Sequence, residues 1–405
     1  MESLVEMIVV ALVGVSLLSC VITLVMHFAA WKKSIASKRS AHGNSPISIL
    51  RPLKGVVEGL EENLESLCLQ HHTRYEILVS AADASDPALQ IARRVRERHP
   101  RVAFRILHGE WPTGQNPKVR LLRAMASRAQ YPNLLISDDN VRVRADYLAV
   151  LAGALECRSV GLVSNLVVGI GARTLGAICE NLYLNTFVLS GVAASALFGR
   201  PVVVGKSMLM RRDALAKAGG FAAVADVLAE DHLLGRAIAK AGYRVVTLGH
   251  PVYTINVRWS IRGMLDRHVR WCKIRGAIAP CAFVFELLAH PLLWLSGTLV
   301  ALMQSQMPSG PTVVGAMVVA SCAAVMTLAE AFLLRHVTGA EFRLAHLLAL
   351  PLRTVLAVTA YAGSFFVPVV RWRNEQYRIG KNSRLLPVKR PIDAPFGRSA
   401  VSRAA

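Results

Sequence analysis

Long apolar runs bracket a central block in which short apolar stretches alternate with amphipathic ones. Residues 7–30 are apolar and free of formal charge, long enough to cross a hydrocarbon core. Trp31-Lys32-Lys33 and Lys38-Arg39 follow at once. A basic flank with an interfacial Trp places this end in the cytoplasm and Met1 outside. A cleaved leader would carry its basic residues ahead of the run, where Glu2 and Glu6 stand instead, so the run is read as a retained anchor. From Ala277 the chain turns apolar again. Residues 277–303 are interrupted by Glu286, His290 and Pro291, residues 313–334 carry Glu330 near their end, and residues 345–370 are broken by Pro351 and Arg353. Three full spans here would carry the basic stretch 371–390 outside, against the positive-inside bias. One run is therefore expected to be re-entrant or interfacial. Pro351 and Arg353 make 345–370 the first candidate and Pro291 makes 277–303 the second.

Between these runs the periods change quickly. Residues 47–50, 76–80, 102–107 and 134–136 read as short strands. Residues 60–70 place Leu60, Leu64 and Leu67 on one helical face. Residues 88–98 form a helix that Asp86 caps and Pro87 opens, and residues 118–129 form another. Further on, the pattern predicts a helix over 146–155 and strands over 160–164, 202–204, 208–210 and 243–247. It also predicts helices over 213–219 and 231–241, each closed by glycine. Residues 175–198 are apolar enough to resemble a span, but Glu180, Asn181 and Asn185 argue for a helix packed on the domain or at the bilayer surface. Alternating strands and helices predict an α/β fold with a mainly parallel sheet. The expected division is an anchor over 1–31, a catalytic domain over 45–276, a membrane region over 277–370 and a basic cytoplasmic tail over 371–405.

Composition narrows the class. The 405 residues carry a formal net charge of +21 at a mean hydropathy of +0.41. A soluble nucleic-acid binder would explain the charge but not the apolar runs; a membrane protein explains both, since anionic headgroups hold Lys and Arg. The seven Cys have no metal-ligand spacing and an odd count, which argues for reduced thiols rather than a disulfide framework.

Candidate chemistry gathers where predicted strands end. Open α/β sheets bind ligands at that edge, and Asp83, Asp86 and Asp138-Asp139-Asn140 all fall there. Caps and turns are the rival reading for Asp83, Asp86 and Asp139. Asp138, delivered by a buried strand, is the stronger candidate: its hard oxygens suit Mg²⁺ or Mn²⁺ and a diphosphate. Glu230-Asp231 opens a helix, where Asp231 is a candidate base and helix-terminal charge is the rival. Arg267, Arg270 and Trp271 form a basic-aromatic group just ahead of the apolar region. Arg grips phosphate through its planar fork and Trp stacks on sugars or lies at an interface.

Several motifs occur in a fixed order: Arg51-Pro52-Leu53-Lys54-Gly55, Asp83 with Asp86-Pro87-Ala88, Asn116-Pro117-Lys118, and Asp138 with Val141-Arg142-Val143. Gly205-Lys206-Ser207, Ala229-Glu230-Asp231, Arg267-x-x-Arg270-Trp271, and Arg371-Trp372-Arg373 with Tyr377-Arg378 complete the set. With these the chain, over 47–380, resembles the ceramide glucosyltransferases, membrane-bound inverting enzymes with a GT-A domain. The resemblance implies that Asp83 lies near the nucleobase and ribose, Asp138 at the metal and diphosphate, and Asp231 acts as base. It implies donor-site roles for Lys118, Lys206, Arg267, Arg270 and Trp271. Arg267 replaces the Gln of the usual Gln-x-x-Arg-Trp signature, and Asn140 stands where many relatives place a second metal-binding Asp. The implied reaction moves glucose from UDP-glucose to the primary hydroxyl of ceramide. Other acceptors within the same chemistry are a hopanoid polyol or diacylglycerol, and other donors are UDP-N-acetylglucosamine, UDP-galactose or UDP-glucuronate. A membrane scaffold with an inactive domain is the alternative of a different class. The Ala- and Arg-rich composition points to a bacterial inner membrane; a eukaryotic relative would be expected in the Golgi.

Overall fold

The computed structural model describes residues 2–37, 42–109, 111–305, 309–372 and 375–388. Most of the expected tail, from Lys389 on, and Arg373 of the closing motif lie outside the described residues. The chain opens with α1 (Glu2–Ser37), whose last turns reach the domain: Lys33 Nζ donates to the Thr247 carbonyl at 2.8 Å.

The domain follows as β1 (Ile47–Leu53), α2 (Leu60–Cys68), β2 (Tyr75–Ala81), α3 (Pro87–Arg98), β3 (Ala103–Leu107), α4 (Pro117–Arg128), β4 (Asn133–Ser137) and β5 (Val141–Arg142). It continues through α5 (Tyr147–Leu155), β6 (Val160–Ile170), α6 (Leu175–Tyr183), a π-helical turn at Leu184–Val188 and α7 (Leu189–Leu197). β7 (Ser207–Arg211), α8 (Arg212–Lys217), α9 (Glu230–Lys240), β8 (Arg244–Ile255) and α10 (Ile261–Ile278) complete it. The eight strands form one sheet in the order β3-β2-β1-β4-β7-β6-β8-β5.

The sheet is mixed rather than mainly parallel. β1, β2, β3 and β4 run together, as do β6 and β8, but β7 runs against both β4 and β6. That reversal matters for the site, because the start of β7 meets the end of β4, with Ser207 opposite Ser137. Apolar residues fill both faces: Ile49, Ile77 and Leu135 pack on one side, Leu50, Leu78 and Ile136 on the other. Strands covered on both faces read as near-continuous apolar runs. The expected strand at 202–204 forms no ladder; Val203 is instead buried beneath Gly235. Residues 175–197 form one helical stretch with a π turn, packed on the domain through Leu189 and Ala193 against Leu166 and Val168.

After α10 come α11 (Pro280–Val284), a 3-10 turn at Phe285–Ala289, α12 (Pro291–Gln304), α13 (Ser309–Leu333) and α14 (Leu344–Phe366). By length and apolarity α1, α13 and α14 can each cross a membrane, and Pro280–Ala289 with Pro291–Gln304 forms a pair bent by 58°. The break therefore falls at His290, while the helix expected to be broken at Pro351 runs unbroken from Leu344 to Phe366. A proline removes one ladder hydrogen bond, and the packing of Leu350 on α6 and the pairing of Arg353 with Glu330 hold the helix across that loss. The start of the stretch expected as a basic cytoplasmic tail folds as β9 (Val370–Trp372), β10 (Glu375–Ile379) and β11 (Leu385–Pro387), a three-stranded antiparallel sheet.

Candidate active site

The site lies at the edge where β1, β2 and β4 end. β4 hands the chain to Asp138, and antiparallel β7 begins beside it with Gly205-Lys206 just upstream. Lys206 Nζ consequently reaches Asp138 Oδ2 at 3.2 Å and the side-chain oxygen of Asn140 at 2.5 Å. Ser207 locks this corner: its hydroxyl is 2.6 Å from the Tyr147 hydroxyl and donates to Asn165 Oδ1 at 2.6 Å. Arg51, fully buried on β1, holds the loop from below. It donates to Ser137 Oγ at 2.8 Å and to the carbonyls of Asp139 and Val141 at 2.9 Å each. Burial draws its pKa down to about 10.

The second wall comes from α4 and α9. Asn116 caps α4, its side-chain oxygen accepting from the N–H groups of Lys118 and Val119, with Pro117 at the first helical position. Its amide donates to the Val227 carbonyl at 2.8 Å and to Glu230 Oε2 at 3.2 Å. Lys118 is thereby aimed inward, 2.9 Å from Asp138 Oδ1 and 3.0 Å from Glu230 Oε1. Asp231 does not cap α9, whose cap residue is Ala229 without a side-chain bond. Its Oδ2 accepts from the Gly205 N–H at 2.6 Å and its Oδ1 from the His232 N–H at 2.7 Å. A Cβ on Gly205 would stand 3.0 Å from Asp231 Oδ2 and 3.1 Å from Lys118 Nζ, so glycine is what lets the backbone approach.

Three carboxylates and two ammonium groups thus share one recess. Burial pushes the Asp231 carboxyl above its ordinary range; Lys118 and the two backbone N–H groups oppose that rise without cancelling it. Glu230 is raised likewise by burial and by Asp231. Lys118 is held charged well above its usual range by Asp138 and Glu230, despite its burial. Lys206 is shifted down, by burial first and then by Arg267 despite Asp138.

Arg267 belongs to a neighbouring cluster on α6 and α10. Glu180, fully buried, pairs with Arg267 Nη1 at 3.1 Å and with His268 Nε2 at 2.6 Å. The Arg267 guanidinium lies over the rings of Trp259 at 4.9 Å and Trp271 at 4.4 Å, a cation–π arrangement that fixes its plane. Burial would raise the Glu180 carboxyl, but Arg267 and His268 pull it below its usual value. Arg270 falls to about 10 through burial and the nearby Arg267. Sequence reasoning placed the Arg267–Trp271 group but not Glu180. A lone Glu in an apolar helix was its only local signal.

Asp138, Asp231, Lys118 and Lys206 are brought together as the motifs imply. Asp83 is not in contact with them. It is exposed beyond β2, accepting from the Ser85 N–H and hydroxyl at 2.8 and 2.7 Å. It occupies the same sheet edge two strands from β4, roughly 10 Å away at ordinary strand spacing. Asp86 has a structural role, capping α3 and accepting from the Gly55 N–H. Among the described residues no three His, Cys, Asp or Glu side chains form a metal cage. Mg²⁺-type ions, however, commonly take one or two carboxylates and complete their shell with substrate phosphates and water. The partly exposed Asp138 carboxylate fits that donor set.

Residues 11–385 match the model of the family described as Glycosyl transferase family 21. The chain is 24% identical over 374 residues to a ceramide glucosyltransferase 3 of Caenorhabditis elegans, spanning 85% of this chain and 74% of that one. It is 26% identical over 241 residues to ceramide glucosyltransferase 1 of the same organism, spanning 59% and 52%. Against a ceramide glucosyltransferase of Komagataella phaffii the identity is 30% over 196 residues, 42% of this chain and 38% of that one. Among solved structures, a mannosyltransferase of Pyrobaculum calidifontis in complex with GDP-Man and Mn²⁺ aligns with a TM-score of 0.49 at 18% identity, covering 88% of this chain and 99% of the other.

Proposed function

Because the chain belongs to glycosyl transferase family 21, we propose that it is a membrane-bound GT-A-type enzyme that transfers glucose from UDP-glucose to the primary hydroxyl of ceramide, with inversion. The observation that carries this reading is Asp231. It is a carboxylate with a raised pKa, fixed by two backbone N–H groups beside Asp138, Lys118 and Lys206. A base is most effective when its pKa approaches the working pH. The names of the curated relatives support ceramide as acceptor.

In the proposed step Asp231 takes the acceptor's hydroxyl proton. The hydroxyl oxygen bonds to the anomeric carbon from the face opposite UDP, and the bond from that carbon to the diphosphate oxygen breaks. UDP carries away the electron pair. Lys118 and Lys206 hold Asp138 in place and supply positive charge on the diphosphate side. Asp138 would hold Mg²⁺ or Mn²⁺, which when bound neutralises charge on the departing diphosphate. Asp83 stands where the uridine end of the donor would extend along the sheet edge. Arg270, with Trp271, would offer positive charge to the donor or acceptor headgroup, while Arg267, neutralised by Glu180 beneath it, would hold the Trp271 ring in place.

The test is purified protein in lipid, supplied with labelled UDP-glucose and ceramide, with the product's anomeric configuration read by NMR. A β-linked glucosylceramide from the α-linked donor is the expected product. Label that enters only diacylglycerol or a hopanoid polyol would overturn the acceptor, and retained configuration would overturn the single displacement.

A further inference from the structure

Three C-terminal helical segments are apolar enough to be counted as crossings, yet the packing allows only two. α14 is 23 residues, about 34 Å at 1.5 Å per residue, and by length alone it spans. Both its ends, however, meet the same catalytic domain. Near its start Ala349 and Leu350 pack with Cys179 and Leu182 of α6, the Cys179 sulfur 4.0 Å from the Ala349 carbonyl. Near its end Gly363 lies against Val269 of α10. The chain then enters β9, where Val370 packs with Leu228, two residues before Glu230. A helix whose two ends touch one face of a membrane-bound domain cannot have carried the chain through the bilayer between them.

The crossing helices pack differently. At the far end Val9 of α1, Leu302 of α12 and Val319 of α13 share a cluster that contains no residue of α14. At the near end Leu333, which closes α13, and Val337 of the π-helical turn after it (Leu334–Thr338) pack with Leu166 and Val168 of β6. The chain therefore leaves the domain through α12 and returns through α13. α12 alone, at 14 residues, is shorter than a crossing needs, so the outward crossing takes in the leg at 280–289, bent by 58° from it, which enters from the domain side.

We propose that α14 lies in the interfacial plane of the bilayer on the catalytic side, and that its surface partner is the boundary between headgroups and acyl chains. Its faces agree. Leu350, Arg353, Ala357, Ala360 and Ser364 are buried on the protein side, while Leu344, Leu348, Val355, Phe365 and Phe366 form an exposed apolar stripe. Arg353 is neutralised by Glu330 of α13 through two bonds of 2.8 and 2.9 Å. Where α14 passes α12 and α13 an apolar cleft of about 410 Å³ stays open, lined in part by Leu292, Leu347, Pro351, Val355 and Val358. This arrangement also removes the charge conflict in the sequence. With α1, α12 and α13 as the crossings, Lys32-Lys33, the domain and the basic segment after α14 all share one side, as the positive-inside bias requires. It sets the floor of α6 and α10, and with it the Glu180–Arg267–His268 cluster, at the bilayer surface.

Single cysteines probed with a membrane-impermeant maleimide in sealed vesicles of both orientations test this, in the full chain with exposed Cys157 and Cys281 replaced by Ser. Arg96→Cys, Glu341→Cys and Lys381→Cys should react from one side and Gln304→Cys from the other. Reaction of Glu341→Cys and Lys381→Cys from opposite sides overturns the proposal, as does Gln304→Cys sharing the side of Arg96→Cys. Should a variant fail to fold, nitroxides at Leu348, Val355 and Phe366 give a second reading. Equal depths of about 5–10 Å below the headgroups fit an interfacial helix, whereas a spread approaching the roughly 30 Å hydrocarbon thickness refutes it. Both readouts report position, not turnover, so they stand or fall independently of the acceptor assignment.

Discussion

Asp231 is held at both oxygens by backbone N–H groups, so its replacement by Asn keeps much of the shape and removes the proposed base. Asp231→Asn should lower turnover by about 10²–10⁴-fold, the usual weight of general-base catalysis, while calorimetry finds UDP binding retained. The pH dependence has a definite sign. A carboxyl raised by burial stays protonated to a higher pH than the ordinary value of about 3.9, and only its ionised form accepts the proton. The acid limb of kcat/KM should therefore lie above the ordinary carboxylate range and disappear in Asp231→Asn, as a pH–rate profile in detergent would show. Glu180 makes a different prediction. Its removal strands Arg267, buried between two indoles, without its carboxylate. Breaking a buried pair from one side costs about 3–5 kcal/mol. Glu180→Ala should thus lower the unfolding temperature clearly, with Glu180→Gln, which keeps an acceptor for His268, falling between it and the wild type.

At the scale of elements, α4 shows how one motif serves fold and chemistry together. Asn116 closes the first turn and also reaches Val227 and Glu230. Asn116→Ala should destabilise by about 1 kcal/mol for the lost cap, and it should lower turnover further by loosening Glu230, which Asn116→Asp would rescue only in the cap. Denaturant melts and turnover measured side by side separate the two. This helix was legible in the sequence because Asn-Pro at its start and its apolar period are local signals, as they are for α2, α3 and the first four strands. β6 and β8 were read too short, ending at Ser164 and Thr247 rather than Ile170 and Ile255. Asn165, Gly169, Gly249 and His250 interrupt their apolar pattern, and only pairing along each other's length carries them on. The reversal of β7 was not legible at all, since strand direction leaves no local trace. The same holds for the site. Asp138, Lys118, Lys206 and Asp231 stand in recognisable motifs, but the bond of Glu180 to His268 joins residues 88 apart and exists only once α6 and α10 pack.

Across the whole molecule, the segment that composition marks as a basic tail closes over the loop that leads into Glu230 and Asp231. Ser383 is fully buried; its carbonyl accepts from the Leu228 N–H at 2.9 Å and its hydroxyl from the Ala229 N–H at 3.1 Å. Leu385 donates its N–H to the Asp226 carbonyl at 2.8 Å. The chain makes these bonds through a turn in which Asn382 and Ser383 both have positive φ, 52° and 58°. That region is costly for side chains other than glycine, of order 1–3 kcal/mol each where the surroundings enforce it. The last strands therefore hold residues 226–229 against the start of α9, and α9 presents Glu230 and Asp231. A chain ending at Val369 keeps every apolar helix and should still insert, yet it frees the Leu228 and Ala229 N–H groups and should lose turnover. Because truncation also uncovers Ile274 of α10, point variants must separate support of the loop from general loosening. Ser383→Gly removes the hydroxyl but relieves the backbone; Ser383→Ala removes the hydroxyl and keeps the strain. If the hydroxyl bond to Ala229 positions the base, both variants lower kcat to a similar degree with KM for the UDP-sugar little changed, and only Ser383→Ala lowers the unfolding temperature. Equal turnover in the wild type and both variants would show that the strands hold the loop through their backbones alone.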